Sequence, residues 1–163
     1  MIDKKNYHYI YNKIILLTRK KSLYIESNVE DSTITRIYLA LFYLGFVLKI
    51  FKKDKNTKKF SQNLYDYFFS QIETSIREIG YGDVSVNKKM KSLVNLFNEI
   101  IIYIDRWDLL KKNEIINYIN TLFLPQKNQV LNTDKLYIYL NNFPNNNKNN
   151  PLNLLSKGIS DSN

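Results

Sequence analysis

Residues 37–48 read IYLALFYLGFVL, which is the longest run of apolar and aromatic residues in the chain, interrupted only by a glycine. A helix that spans a bilayer needs roughly 20 apolar residues, so this shorter run predicts a buried core helix instead. Because the run is apolar on nearly every side, we expect it to lie at the centre of a helical bundle. Asp31 or Ser32 can cap this helix, which is predicted to end near Phe51.

The composition of the whole chain favours further helices around this centre. Hydrophobic residues make up 44% of the 163 residues, whereas Gly and Pro number only 4 and 3. Scarce Gly and Pro disfavour a β-rich protein, which depends on tight turns. We therefore predict an all-α fold, a single compact bundle of about six helices over residues 1–143. Residues 144–163 are rich in Asn and are predicted to form a polar, disordered tail.

Five other segments show apolar residues at helical spacing. They predict helices over residues 5–20, 61–79, 85–105, 113–124 and 133–142. Ser61 and Thr133 can cap two of these helices. The segments 22–31 and 49–59 are predicted to be connections. The second of them, KIFKKDKNTKK, is strongly basic and is either a solvated linker or, less often, a binding site.

The net charge of the chain is +9. Such an excess attracts nucleic acid, ribosomal surfaces and anionic membrane faces. The chain is also rich in Lys, Asn, Ile, Tyr and Phe, whose codons are AT-rich. A genome of low GC content would raise the charge without any function, so both interpretations of the charge stay open.

The sequence lacks the residue patterns of a catalytic or metal site. There is no Cys, which excludes disulfides, zinc–thiolate sites and cysteine nucleophiles. His8 is the single histidine, and without a nucleophile signature nearby we expect a surface or hydrogen-bonded helix residue. No HExxH motif and no carboxylate cluster predicts a metal site. We therefore predict a protein that is not an enzyme and has no cofactor and no small-molecule substrate.

Residues 77–91, REIGYGDVSVNKKMK, join two of the predicted helices. The segment 80–83, GYGD, looks superficially like a phosphate-binding loop. Phosphate-binding loops follow a strand, however, whereas this segment follows a predicted helix. It also lacks a third glycine and the GK[ST] ending. A nucleotide site is therefore not predicted here, and we refer to residues 79–83 as the joint.

A purely structural role explains the joint better. Gly80 and Gly82 can adopt positive φ angles, which would end one helix and reverse the chain. Asp83 or Ser85 can then cap the next helix by accepting hydrogen bonds from its first backbone N–H groups.

Charged residues lie on both sides of the joint. Arg77 and Glu78 can link the two helix ends by salt bridges. Lys88, Lys89 and Lys91 lie in the early turns of the second helix, where the helix dipole disfavours cations. Contact with an anionic partner and a simply solvated face are both open explanations for these lysines.

The joint and the helix after it resemble the signature of the ubiquinol–cytochrome c chaperone family. Bacterial members of that family carry a close relative of REMGVGDLxVxKRMKxMAxAFYGR in this place. The matching positions are Arg77, Glu78, Gly80, Gly82, Asp83, Val86, Lys88, Met90, Lys91 and Phe97. Weaker similarity extends over residues 6–143. This sequence departs from the family at Tyr81, where a small aliphatic residue is usual, at Asn87, which often corresponds to proline, and at 98–99, which is usually Tyr-Gly.

The resemblance implies an assembly chaperone for ubiquinol–cytochrome c reductase (complex III). Mitochondrial relatives work with a small partner chaperone, bind the mitochondrial ribosome near its exit tunnel and hold newly made cytochrome b. By resemblance we therefore expect cytochrome b to be the client. A basic helical protein that binds RNA or the ribosome is the alternative.

The location and the partner-binding residues are also expectations. The N-terminus lacks the pattern of a signal peptide, so we expect a cytoplasmic protein, peripheral at the cytoplasmic face of the inner membrane. We expect partner binding at the joint and on the adjoining helix face. An equally open alternative is that the glycines and the aspartate serve folding only. The predicted binding residues are Arg77, Gly80, Gly82, Asp83, Lys88, Lys89, Lys91 and Phe97.

Overall fold

The computed structural model describes residues 4–147 and residue 149. Regular structure in this part of the chain is helical, apart from one isolated β-bridge between Val29 and Pro125. A short 3-10 helix spans Lys55–Thr57. The seven α-helices are α1 (Lys4–Thr18), α2 (Lys21–Ser27), α3 (Thr33–Phe51), α4 (Lys58–Glu78), α5 (Asp83–Asp105), α6 (Lys112–Leu122) and α7 (Thr133–Asn147). The all-α prediction is confirmed, with seven described helices rather than about six.

The additional helix is α2, which lies in the segment 22–31 that was predicted to be a connection. Its seven residues make two turns, which is too short for a clear helical period in the sequence. Leu23 and Tyr24 are buried, and the Tyr24 hydroxyl donates a hydrogen bond to the Thr18 carbonyl. The helix ends at Asn28, whose φ of 55° is left-handed. Burial of two side chains against the bundle therefore stabilises a helix that local sequence does not reveal.

Helix α3 lies at the centre of the bundle, as predicted. All residues from 39 to 47 are buried, and α3 packs against α1, α4, α5 and α7. The Ser32 hydroxyl accepts a hydrogen bond from the Thr35 N–H at 3.2 Å, so Ser32 rather than Asp31 caps the helix. By length and composition α3 could also cross a membrane, but 67% of its most apolar stretch is buried here, as in a core helix.

The start of α4 differs from the prediction. The helix begins at Lys58 after the N-cap residue Thr57, so Ser61 lies inside its first turns and does not cap it. The hydroxyl of Thr57 donates to the carbonyls of Phe51 and Asp54, at 2.5 and 2.6 Å. These bonds fold the basic connection into the 3-10 turn and bring the end of α3 close to the start of α4. The predicted loop over 49–59 is therefore mostly helical.

The last helix is longer than predicted. Helix α7 continues to Asn147, past the expected end near residue 142, and includes Pro144 in its last turn. Phe143 anchors this end because its ring lies edge-on to Tyr43 of α3, with centroids 5.1 Å apart. Apart from Asn149, the remainder of the predicted tail lies outside the described residues.

Aromatic side chains connect α3 to the C-terminal helices. The Phe42 ring centroid lies between 6.1 and 6.4 Å from those of Trp107, Tyr118 and Phe123. The Trp107 indole N–H also donates to the Asn141 side chain at 2.9 Å, which adds a polar link to α7. Ring packing thus contributes to holding the C-terminal third of the chain to the central helix.

Helix α5 approaches α3 closely at one point. A Cβ added to Gly45 would lie only 2.5 Å from Ile104 Cδ1 and 3.4 Å from Ile101 Cδ1. The absence of a side chain at Gly45 therefore lets the two helices meet.

Candidate functional site: a groove beside the joint

The joint reverses the chain between α4 and α5, as predicted. Gly80 has a φ of +102°, and its N–H donates to the Arg77 carbonyl at 2.9 Å, which ends α4. Gly82 has an ordinary φ of −70° and is the N-cap residue of α5, so the predicted caps Asp83 and Ser85 lie inside the helix. A Cβ would meet no atom within 4 Å at either glycine. Only Gly80 therefore needs to be glycine for this backbone conformation.

This difference between the two glycines gives a direct test. We expect Gly80→Ala to lower the free energy of unfolding by about 1–2 kcal/mol, because an L-residue is strained at positive φ. Gly82→Ser should leave stability unchanged or raise it by a few tenths of a kcal/mol, roughly, because serine can cap α5. Chemical denaturation of both variants measures these changes. Equal losses in both would contradict the assignment.

An ion-pair cluster spans the joint. The Arg77 guanidinium donates to a carboxylate oxygen of Asp83 across the joint, and its Nη2 lies 2.9 Å from Glu73 Oε1 one turn back. These hydrogen bonds, with Asp83 contributing most, raise the pKa of Arg77 above its ordinary value. Glu78 forms no ion pair within the described residues. The predicted link between the helix ends is thus made by Arg77 with Asp83, and Glu78 takes no part in it.

A groove of about 920 Å³ lies beside the joint, where the first turns of α3 meet the end of α4 and the first half of α5. Its lining is largely apolar. Ile34 and Ile79 are 49% and 55% exposed, so large aliphatic surface is open to solvent there. The apolar and aromatic lining residues are Ile34, Ile37, Tyr38, Ile76, Ile79, Tyr81, Leu93 and Leu96. A contiguous apolar surface of this kind is typical of a binding site for another apolar group.

The rim of the groove carries charge. Lys88 and Lys89 line it near the joint, and Glu99 lines it further along α5. The Lys89 ammonium lies 4.4 Å from the centroid of the Tyr81 ring, which is a cation–π contact. Neither lysine forms an ion pair with any described residue, so both remain available to an anionic group. The groove is therefore suited to an apolar segment that carries a negative end.

The structure divides the predicted binding residues into three sets. Gly80, Gly82 and Asp83 lie in the joint, and Arg77 of α4 is bound to Asp83. Lys88 and Lys89 line the groove. Lys91 is exposed but does not line the groove.

Phe97 lies apart from both the joint and the groove. It is only 3% exposed, and its ring packs against Tyr65 and Phe69, with both centroids 5.6 Å away. Phe97 therefore matches the family signature as a buried residue between α4 and α5.

Sequence reasoning missed the α3 side of the groove. Ile34, Ile37 and Tyr38 come from a helix that was predicted only as core. Ile79 was predicted only as the last residue of the helix over 61–79. An available signal was that Ile34 and Ile79 lie at helix ends beside polar residues, where burial is less complete. The meeting of these ends in space depends on tertiary packing, which the sequence pattern does not give.

The described residues offer little for catalysis. His8 is exposed and is hydrogen-bonded to the Tyr67 hydroxyl at 2.8 Å and to Asn12 at 2.9 Å, in agreement with a surface or satisfied histidine. Among residues 4–147 and 149, no group of three or more His, Cys, Asp or Glu side chains could hold a metal ion. The residues that line the groove include no such cluster.

Comparison with known proteins identifies the family. The family model described as "Ubiquinol-cytochrome C chaperone" matches residues 2–115. The match includes α1 to α5, the joint and every residue that lines the groove. No curated protein and no solved structure matches the chain significantly. Because the family model covers more than half of the sequence, the chain belongs to the ubiquinol–cytochrome c chaperone family.

Proposed function

We propose that this protein is a complex III assembly chaperone that holds newly made cytochrome b, and that the groove beside the joint receives an apolar helix of that client. Family membership supports a chaperone role in complex III assembly. The observation that carries the proposal is the open apolar groove, with the half-exposed side chains of Ile34 and Ile79 at its surface.

The geometry of the groove suits a helix better than an extended peptide. Its lining comes from helix faces, and no free strand edge lies among the described residues to which an extended chain could add. An apolar client helix in the groove would bury the side chains of Ile34 and Ile79 at the centre of the contact. Its C-terminal carbonyls, or an acidic residue near them, would face Lys88 and Lys89, since cations favour the negative end of a helix dipole.

We also propose a cytoplasmic location at the inner membrane surface, where a cytochrome b chain enters the bilayer. A small partner chaperone and the ribosome are further proposed partners, on the basis of the family resemblance alone. The proposed contact between the groove and the client involves neither the partner chaperone nor the ribosome. Client binding is therefore tested separately from these two partners.

The test is recovery of the client from membranes. A tagged chaperone is purified from gently solubilised membranes, and co-purified cytochrome b is measured by mass spectrometry. We expect the double variant Ile34→Glu, Ile79→Glu to recover about tenfold less cytochrome b, because two charges would be buried in the contact. Ile102→Glu is the matched control, because Ile102 is 61% exposed and lies outside the groove.

Two outcomes would contradict the proposal. Equal recovery by the groove variant and the Ile102→Glu control would exclude the groove as the client site. Unchanged cytochrome b and complex III levels after deletion of the gene would exclude the function itself. Asp83→Ala removes no cap and only an exposed ion pair, so stability should change little. Loss of client with this variant would extend the site to the joint.

A further inference from the structure

A second charged surface lies at the opposite end of α3 from the groove. Four exposed lysines, Lys53, Lys55, Lys58 and Lys59, surround the short connection between α3 and α4, and we refer to these four as the lysine pole. None of the four forms an ion pair with any described residue. The four lysines fall within seven consecutive positions around the 3-10 turn, so their charges are close together.

Two of the three acidic groups nearby are paired with lysines outside the pole. Asp105 lies 3.2 Å from the Lys52 ammonium, and Asp108 lies 3.0 Å from that of Lys49. The Asp54 carboxylate accepts a hydrogen bond from the Asn56 N–H at 2.9 Å and caps the 3-10 turn. Asp105 and Asp108 thus neutralise Lys52 and Lys49, and Asp54 offsets one of the four charges of the lysine pole. The pole therefore keeps a concentrated positive charge that attracts anions.

An apolar pocket of about 690 Å³ opens between the lysines. Leu48, Tyr65 and Ile101 lie in its lining, and Lys55 and Lys58 lie beside them. The buried hydroxyl oxygen of Ser61, in the same lining, has no hydrogen-bond partner among the described residues. The charged residues of the lining are four lysines and two aspartates, so positive charge is in excess around the apolar pocket. This arrangement matches an amphiphile that has a negative head and an apolar chain.

The arrangement fits a lipid better than single-stranded RNA. Proteins that bind single strands stack bases on exposed aromatic rings. The aromatic residues next to the pole are Phe51 and Phe60, each 5% exposed, and the partly buried Tyr65. Stacking platforms are thus missing at the pole, whereas the apolar pocket would have no role in phosphate contacts to RNA.

We propose that the lysine pole docks on an anionic phospholipid surface, with the lysines against lipid phosphates and one acyl chain in the pocket. The attraction of lysines to anionic headgroups is additive and weakens with salt. On α3 the groove lining ends at Tyr38, which lies roughly 20 Å along the helix axis from Phe51, the last residue before the pole. A docked molecule therefore keeps the groove free, and this proposal does not depend on the identity of the client.

The experiment is vesicle co-sedimentation of the purified full chain. We expect binding to phosphatidylcholine vesicles that contain phosphatidylglycerol and much weaker binding to phosphatidylcholine alone. Changing all four lysines of the pole to Gln should weaken binding at least about tenfold. The matched control changes four exposed lysines elsewhere to Gln, so the net charge falls equally. These are Lys20, Lys21, Lys127 and Lys135.

Insertion of the acyl chain into the pocket is tested separately, by fluorescence quenching. The chain contains one Trp, Trp107, which is buried in the core. The variant Tyr65→Trp adds a reporter in the pocket lining, and vesicles with brominated acyl chains should quench its fluorescence beyond that of the parent protein. Binding without additional quenching would overturn acyl insertion.

Three results would overturn the docking proposal. They are equal binding to both kinds of vesicle, equal losses in the pole variant and its control, and RNA binding that depends on the four lysines without vesicle binding. The last result would assign the pole to nucleic acid instead. All these measurements use no client, so their failure leaves the proposed chaperone function standing.

Discussion

Replacing Phe42 with alanine is expected to lower the free energy of unfolding by about 3–5 kcal/mol. Phe42 is fully buried in α3, and its ring contacts Trp107, Tyr118 and Phe123. Its removal would leave a cavity between α3, α6 and the segment before α6. Tyr118 lies in α6 and Phe123 is its C-cap residue, so these rings can fill the cavity only in part without movement of the backbone.

Urea denaturation followed by circular dichroism gives the size of the loss. Phe42→Leu is the control, because leucine fills most of the space and should cost clearly less. Hydrogen exchange adds a regional measurement: protection in α6 should fall more than protection in α4, since α6 depends on this cluster. A loss in Phe42→Ala below about 1 kcal/mol would show that the cluster does not hold the C-terminal helices.

The second large effect is expected at Gly45. Gly45→Leu should lower the free energy of unfolding by about 3 kcal/mol, because overpacking forces a buried helix contact apart. The atom in the way is Ile104 Cδ1, which is itself fully buried and cannot turn into solvent. Gly45→Ala should cost less, since alanine also contributes roughly 1 kcal/mol of helix propensity relative to glycine.

A double-mutant cycle separates the effect of the close contact between Gly45 and Ile104 from the effect of helix propensity at position 45. Ile104→Val removes the obstructing Cδ1 atom and should cost about 0.5–1.5 kcal/mol alone. Combined with Gly45→Ala, the total loss should be smaller than the sum of the two single losses. Strict additivity would contradict the close approach of α3 and α5 at this point.

Most of the fold was predictable because its helices are long and strongly patterned. The central position of α3 followed from its uniform apolar surface, and the helices α4 and α5 from stripes that are mostly buried. The errors lie at helix ends and in short elements. The Thr57 hydroxyl donates to the carbonyls of Phe51 and Asp54, and α4 begins before Ser61. Helix α2 depends on burial of Leu23 and Tyr24.

The candidate site was predictable only in part. The joint has a local cause, a glycine at positive φ between two helices, and the sequence indicated it correctly. No local sequence pattern indicates the groove, because Ile34 and Ile79 are 45 positions apart in the sequence. They meet only through the packing of whole helices. For the same reason the two lysine-rich segments could not be assigned to opposite ends of α3 from sequence alone.

The contact between Tyr43 and Phe143 has a consequence for synthesis of the protein. The chain is made from its N-terminus, so α3 emerges from the ribosome well before α7 does. Until Phe143 is synthesised, Tyr43 and Phe46 on α3 lack their contacts with the Phe143 ring. The nascent chain thus exposes, for the time needed to make α4 to α6, the kind of apolar helix surface that a chaperone usually shields.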